Sequence, residues 1–252
     1  MRIGMLTGMF YKENFRLKKN LYAKAIIVSM MAFLHYYVKA QSPGGWEIVN
    51  LNYHLSKKAS VFFEAQVKSQ ELMNDFYYNE YKIYGLYNLT NKWNLTAGAG
   101  NFKTYSSPGN FKSPLEKSEF RTWQQVALRS RSGRFNFQNR LRTEQRWINH
   151  IYQNRFSYRL NSVVPINHKK LDPKTFYASV YDEIYFTNRH PYYEMDRWFI
   201  GLGFQVSSFF ALQTGFIKQY NYHSTSIQFI QSSFLFSLND KGIRKNIQSI
   251  LH

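Results

Sequence analysis

Residues 134–147 read RFNFQNRLRTEQRW, and the fold turns on how they are read. Phe135, Phe137, Leu141 and Trp147 fall on one side of an extended chain. Arg134, Gln138, Arg140, Arg142, Glu144 and Arg146 fall on the other, because side chains of a strand alternate with period two. Moving outward, Phe156, Tyr158 and Leu160 oppose Arg155, Ser157, Arg159 and Asn161. Then Phe176, Ala178, Val180, Ile184 and Phe186 oppose Tyr177, Ser179, Tyr181, Glu183 and Tyr185. One face is greasy and aromatic, the other charged, as in a barrel wall set between lipid and a polar lumen.

The same alternation covers 45–55, 60–70, 77–89, 93–105, 117–130, 195–206, 209–222 and 226–238, which makes eleven strands. Nothing after Gln41 sustains a 3.6-residue apolar period or eighteen apolar residues in a row, so transmembrane helices are excluded. The expectation is all-β: a transmembrane antiparallel up-and-down β-barrel of about 10–12 strands. Bacterial single-chain barrels usually have an even number of strands. An odd count therefore predicts one strand missed or one too many, near the N-terminus. Tight polar links at Ser56–Lys58, Thr90–Lys92, Arg131–Gly133 and Ser207–Ser208 alternate with longer ones at 72–76, 106–116, 149–152, 188–194 and 222–225. That rhythm predicts short periplasmic turns on one rim and longer loops on the other, with 167–174 the one long link among the short turns. A soluble sandwich also alternates, but strands of 11–14 residues exceed its usual length of about five or six. Rings near strand ends and several Arg per polar face also favour the barrel.

Composition agrees. Aromatic residues make up 19% of the 252 at a mean hydropathy of −0.48, a pairing that alternating faces with aromatic girdles produce. The chain has no Cys, which removes disulfides, Cys-based metal sites and a Cys-linked lipid anchor. Ahead of the strands, residues 12–24 are basic, 25–38 are apolar, and Val38 and Ala40 fit the −3 and −1 positions of a signal-peptidase site. The apolar run would rise only roughly 21 Å as a helix, short of the roughly 30 Å hydrocarbon core. The expected division is a cleavable signal peptide at 1–40, a barrel at 41–238 and a short tail at 239–252. The leader holds seven Lys/Arg against one Glu, leaving 26 against 14, or +12, in the remainder.

Several phrases together resemble an uncharacterised family of outer-membrane barrels, domain of unknown function 2490. They are Gly45-Trp46-Glu47, LSKKASVFFEAQ (55–66), LTNKWNLTAGAG (89–100), RSRSGRFNFQNRLRTEQRW (129–147), VVPINHKKLDPKTFYASVYDEIYF (163–186) and RWFIGLGFQVSS (197–208). The resemblance implies the fold and an outer-membrane location, and no established activity. One departure is the end: Phe236 and Leu238 are followed by fourteen further residues, so the aromatic signal read by the assembly machinery would be internal.

The polar faces supply the candidate site. Arg121, Arg129, Arg140, Arg142, Arg146, Arg155, Arg159 and Arg197 point inward together with Lys82, and Glu64, Glu80, Glu119, Glu144 and Glu183 are the candidate ion-pair partners. Seven of the eight Arg lie on three consecutive strands, about 4.8 Å apart. Two readings stay open. One is a narrow channel for small anionic solutes, since Arg recognises phosphate and carboxylate through forked hydrogen bonds. The other is a structural barrel whose Arg and Glu pair and fill the lumen. A third class is a lipid hydrolase with a Ser/His pair at the outer rim, from His150, His190 or His223 with Ser224 or Ser226. Neither a cofactor nor a metal is expected, because no ligand spacing occurs. No recognition helix or phosphate loop suggests nucleic acid. The expected partners are outer-membrane lipid, the assembly machinery during insertion and a small anion, with the chain a monomer.

Overall fold

The computed structural model describes residues 42–222 and 226–239. The signal peptide expected at 1–40 and the tail beyond Asn239 lie outside the described residues. Eleven strands follow one another: β1 Gly44–His54, β2 Ala59–Glu71, β3 Asn74–Asn88, β4 Trp93–Tyr105, β5 Leu115–Ser132, β6 Phe135–Ile148, β7 Ile151–Pro165, β8 Thr175–Thr187, β9 Tyr193–Gln205, β10 Phe210–Asn221 and β11 Ser226–Asn239. Each pairs with its neighbour in sequence, and β1 meets β11 to close the barrel.

The closing pair is parallel, from Gly44 opposite Phe229 to His54 opposite Asn239, whereas the other ten pairs are antiparallel. This corrects the expectation of a missed or surplus strand. In a meander with an odd number of strands the first and last run the same way, so closure must be parallel. Parallel pairing is slightly weaker per residue, and side chains reinforce the seam. Trp46 packs edge-on against Phe229 at 5.6 Å, and His54 bridges Ser60 on β2 (2.8 Å) and Ser237 on β11 (2.9 Å).

The faces follow the period-two reading. Arg140 is 2% exposed and its neighbour Leu141 is 58% exposed, so the polar row points in and the apolar row out. Outward rings collect near both strand ends. Phe120, Trp147 and Tyr152 form one chain of contacts at 5.7 and 5.4 Å. Phe176–Phe204 and Phe210–Phe236, at 4.5 and 4.8 Å, lie at the other end. Rings at both ends of the strands accord with the two aromatic girdles of transmembrane barrels.

The loops differ from expectation. One rim, called lower here, carries the links 55–58, 89–92, 133–134, 166–174 and 206–209, and the end of β11. The upper rim carries 72–73, 106–114, 149–150, 188–192, the link after Asn221 and the start of β1. Two links read as long are two-residue turns: Leu72-Met73, and Asn149-His150 with φ of +45° and +72°. Asn tolerates the left-handed region that such hairpin turns demand. The two rims therefore do not divide into short turns and long loops. The longest lower link, 166–174, folds inward: Leu171 packs with Val163 and Tyr177 beneath the lumen, and Asn167 closes the loop by bonding Phe176 N (2.8 Å) and Lys174 O (2.9 Å).

Candidate functional site: the lumen wall

A cavity of about 350 Å³ occupies the upper part of the barrel. It is lined by Lys117, Glu194 and Asn221 near the upper rim and by Thr96, Gln125 and Ser179 lower down. Below it the interior is packed. Phe62, Tyr177, Thr175, His54, Asn94 and Gln205 are each no more than 1% exposed. Glycines make room for the large rings: Gly203 lies under Tyr177, and Gly98 under Tyr84 and Trp123, whose tilted rings are 6.0 Å apart. Any larger side chain at these positions would meet a ring, a use of Gly in strands for close approach.

Ten cations line the cavity against four carboxylates, and the sequence-predicted residues are largely brought together there. Arg121, Arg140, Arg142, Arg146, Arg155, Arg159 and Arg197 all contribute, as do Glu64, Glu80 and Glu144. Glu119 and Glu183 stand behind the lining, 2% and 0% exposed. Arg129 is half-buried on β5 and outside the lining.

The charges form three groups. On β2 and β3, Lys82 joins Glu64 to Glu80, the latter at 2.5 Å, and Tyr78 donates its hydroxyl to Glu80. On β6–β8, Glu183 takes Arg140 on one oxygen and Arg159 on the other (2.5 Å), with Ser157 donating at 3.0 Å. Across β5–β9, Glu119 holds Arg121, Arg146 (2.5 Å) and Lys117 (3.1 Å). Glu144 holds Arg155 (2.5 Å) and lies 3.5 Å from Arg142, and Glu194 takes Arg146 (3.0 Å) and Arg155 (3.5 Å). Buried charge is tolerable only when paired and hydrogen-bonded, and these carboxylates supply that.

Sequence reasoning missed Glu194, Lys68 and Lys117. Glu194 was read as a loop residue. The register shifts between Tyr185 and Phe186, where β8 meets β9, and Glu194 reaches Arg146 and Arg155 inside. Lys68 continues the inward series Glu64-Gln66-Lys68, so period two held the signal for it.

A family model described as "Protein of unknown function (DUF2490)" matches residues 43–229. The chain belongs to this family. No curated protein matches it. Among solved structures, LpxR from Salmonella typhimurium is similar, with a TM-score of 0.52 and 8% sequence identity over 75% of this chain and 87% of that one. At that identity the likeness shows the fold alone.

Among the described residues of this DUF2490 barrel, the hydrolase candidates His150 and His190 lie in separate links, 149–150 and 188–192. His150 sits in the 149–150 turn, and His190 packs against Tyr192 at 5.9 Å. His223 and Ser224 lie outside the described residues. Among the described residues, His54 contacts Ser60 and Ser237 at the lower rim, all three buried. Among the described residues no three His, Asp or Glu converge as a metal site.

Proposed function

We propose that the protein spans the bacterial outer membrane as a non-conducting barrel: closed by packed side chains toward its lower rim, with a cationic chamber above that receives a small anionic solute. The membrane assignment is supported by the closed sheet, the apolar outer face with a girdle of rings at each end, and membership of the DUF2490 family. The observation that carries the closed reading is the plug. Phe62 stacks on Tyr84 at 4.7 Å, Tyr177 fills the space over Gly203, and Leu171 enters from the 166–174 link. These side chains, with His54, Asn94 and Gln205, leave the lower interior buried. Above the plug, cations outnumber carboxylates, which favours anionic over cationic solutes.

Planar-bilayer recording of the refolded chain tests this. The wild type is expected to show no stepwise conductance. Phe62→Gly combined with Tyr177→Gly is expected to open an anion-selective path through the emptied plug. Stepwise currents from the wild type would overturn the closed reading, and cation preference in the opened variant would overturn the anionic one.

A further inference from the structure

Two of the ten cavity cations stand apart from the rest. Lys82, Lys117, Arg121, Arg140, Arg142, Arg146, Arg155 and Arg159 each have a carboxylate oxygen within 4.0 Å. Lys68 and Arg197 have none among the described residues. They also share one aromatic ring. Lys68 is the cross-strand partner of Trp46, and its Nζ lies 3.7 Å from the indole centroid, 4.8 Å from that of Tyr78 and 5.3 Å from that of Phe229. Arg197 approaches the same indole from β9, with Cζ 4.8 Å from the centroid. Its donors go to neutral acceptors, Gln219 Oε1 at 2.8 and 3.2 Å and Tyr185 Oη at 3.2 Å.

Two like charges against one ring repel each other. Ring faces and neutral oxygens replace only part of the hydration an ion loses on burial. For the other eight cavity cations the chain supplies a Glu for that purpose, and here it supplies an indole and an amide. The ring is also fixed in place: Trp46 Nε1 donates to Gln66 Oε1 at 2.7 Å, and its edge meets Phe229.

We infer that Lys68 and Arg197 are the receiving site for the chamber's anion. The ligand is a small organic oxyanion, phosphoryl or carboxylate, whose charge is shared by the two cations and whose ring or carbon part packs against Trp46 and Ile48 of the lining. The cavity, about 350 Å³, lies at the small end of the roughly 300–1,000 Å³ typical of ligand sites. The inference rests on the reading of the lumen as an anion-receiving chamber. It moves the site away from the Arg140–Arg159 patch, where both guanidinium groups already bond the Glu183 carboxylate.

The test is a tryptophan-fluorescence titration of the refolded full chain in detergent with inorganic phosphate, phenyl phosphate and benzoate, and separately with phosphatidic acid in the micelle. Wild type is expected to bind phenyl phosphate or benzoate more tightly than inorganic phosphate. Lys68→Met and Arg197→Gln should each weaken binding about tenfold or more, and Lys103→Gln, exposed on β4 outside the lining, should leave it unchanged. Gln219→Glu places a carboxylate against Arg197, so it should weaken binding and raise Tm together. That variant carries the test if Lys68→Met fails to fold. Response to phosphatidic acid alone, lost in the same variants, supports the site and names a lipid headgroup as the source. A folded wild type that binds none of the probes, or folded variants with unchanged affinity, would overturn the site. A conducting wild type that still binds through Lys68 and Arg197 would sink the closed lumen and leave this site standing.

Discussion

Glu183 shows what a single side chain does inside this wall. It is fully buried, accepts from Arg140, Arg159 and Ser157, and so supplies two largely buried guanidinium groups with a charged acceptor. Glu183→Gln preserves shape and removes the charge, leaving two cations buried beside each other. Breaking a buried pair from one side costs about 3–5 kcal/mol, and urea unfolding followed by tryptophan fluorescence should show a loss of that size. Glu194→Gln should cost less than about 1 kcal/mol, because this carboxylate is 27% exposed and water compensates its loss. Equal losses in the two variants would contradict the burial argument. At this scale the sequence was legible in one direction only. Alternation told which Arg and Glu face inward, but pairing depends on register and on reach across the lumen. Arg146 meets Glu194 three strands away, and no spacing along the chain encodes that contact.

Each strand is a two-faced element, and its faces were the most readable feature of the chain. RFNFQNRLRTEQRW became β6 with its Arg and Glu row inside and Phe135, Leu141 and Trp147 outside, displaced by one residue at each end. The reading failed where local geometry breaks the period or shortens a link. The shift between Tyr185 and Phe186 brought Glu194 inside, and the 149–150 turn drew Ile148 and Ile151 into strands. The outer face makes a depth-dependent prediction. Leu141, near the middle of β6, is 58% exposed, and Phe135, at its lower end, is 50% exposed. In a soluble barrel, Arg at either position would be nearly neutral. In lipid, Leu141→Arg should cost about 2–4 kcal/mol and Phe135→Arg about 0–1 kcal/mol. Unfolding from lipid vesicles measures both, and equal small costs would remove the membrane from the account.

The whole molecule is governed by the parity of its strand count. Eleven strands place the start of β1 on the upper rim and the end of β11 on the lower, joined by a parallel seam in which all eleven residues of β1 have partners. The sequence yielded the right number, and the usual even count of bacterial barrels made that number look like an error. What alternation could not supply was the closure, since hydrogen bonds between the first and last strands leave no trace in the period of either. The lower rim bears Phe236 and Leu238 near the end of the last strand, and reading them as an internal assembly signal predicts that this rim faces the periplasm. Because the chain has no Cys, single cysteines report sidedness without background. Pro43→Cys and Asn110→Cys should react with a membrane-impermeant maleimide on intact cells, whereas Lys57→Cys and Asn239→Cys should react only after the outer membrane is permeabilised. Reversal of all four would turn the barrel over in the membrane and leave its closure intact. Pro43 and Asn239 labelled from the same side would mean an even-stranded wall, and with it the parallel seam would fall.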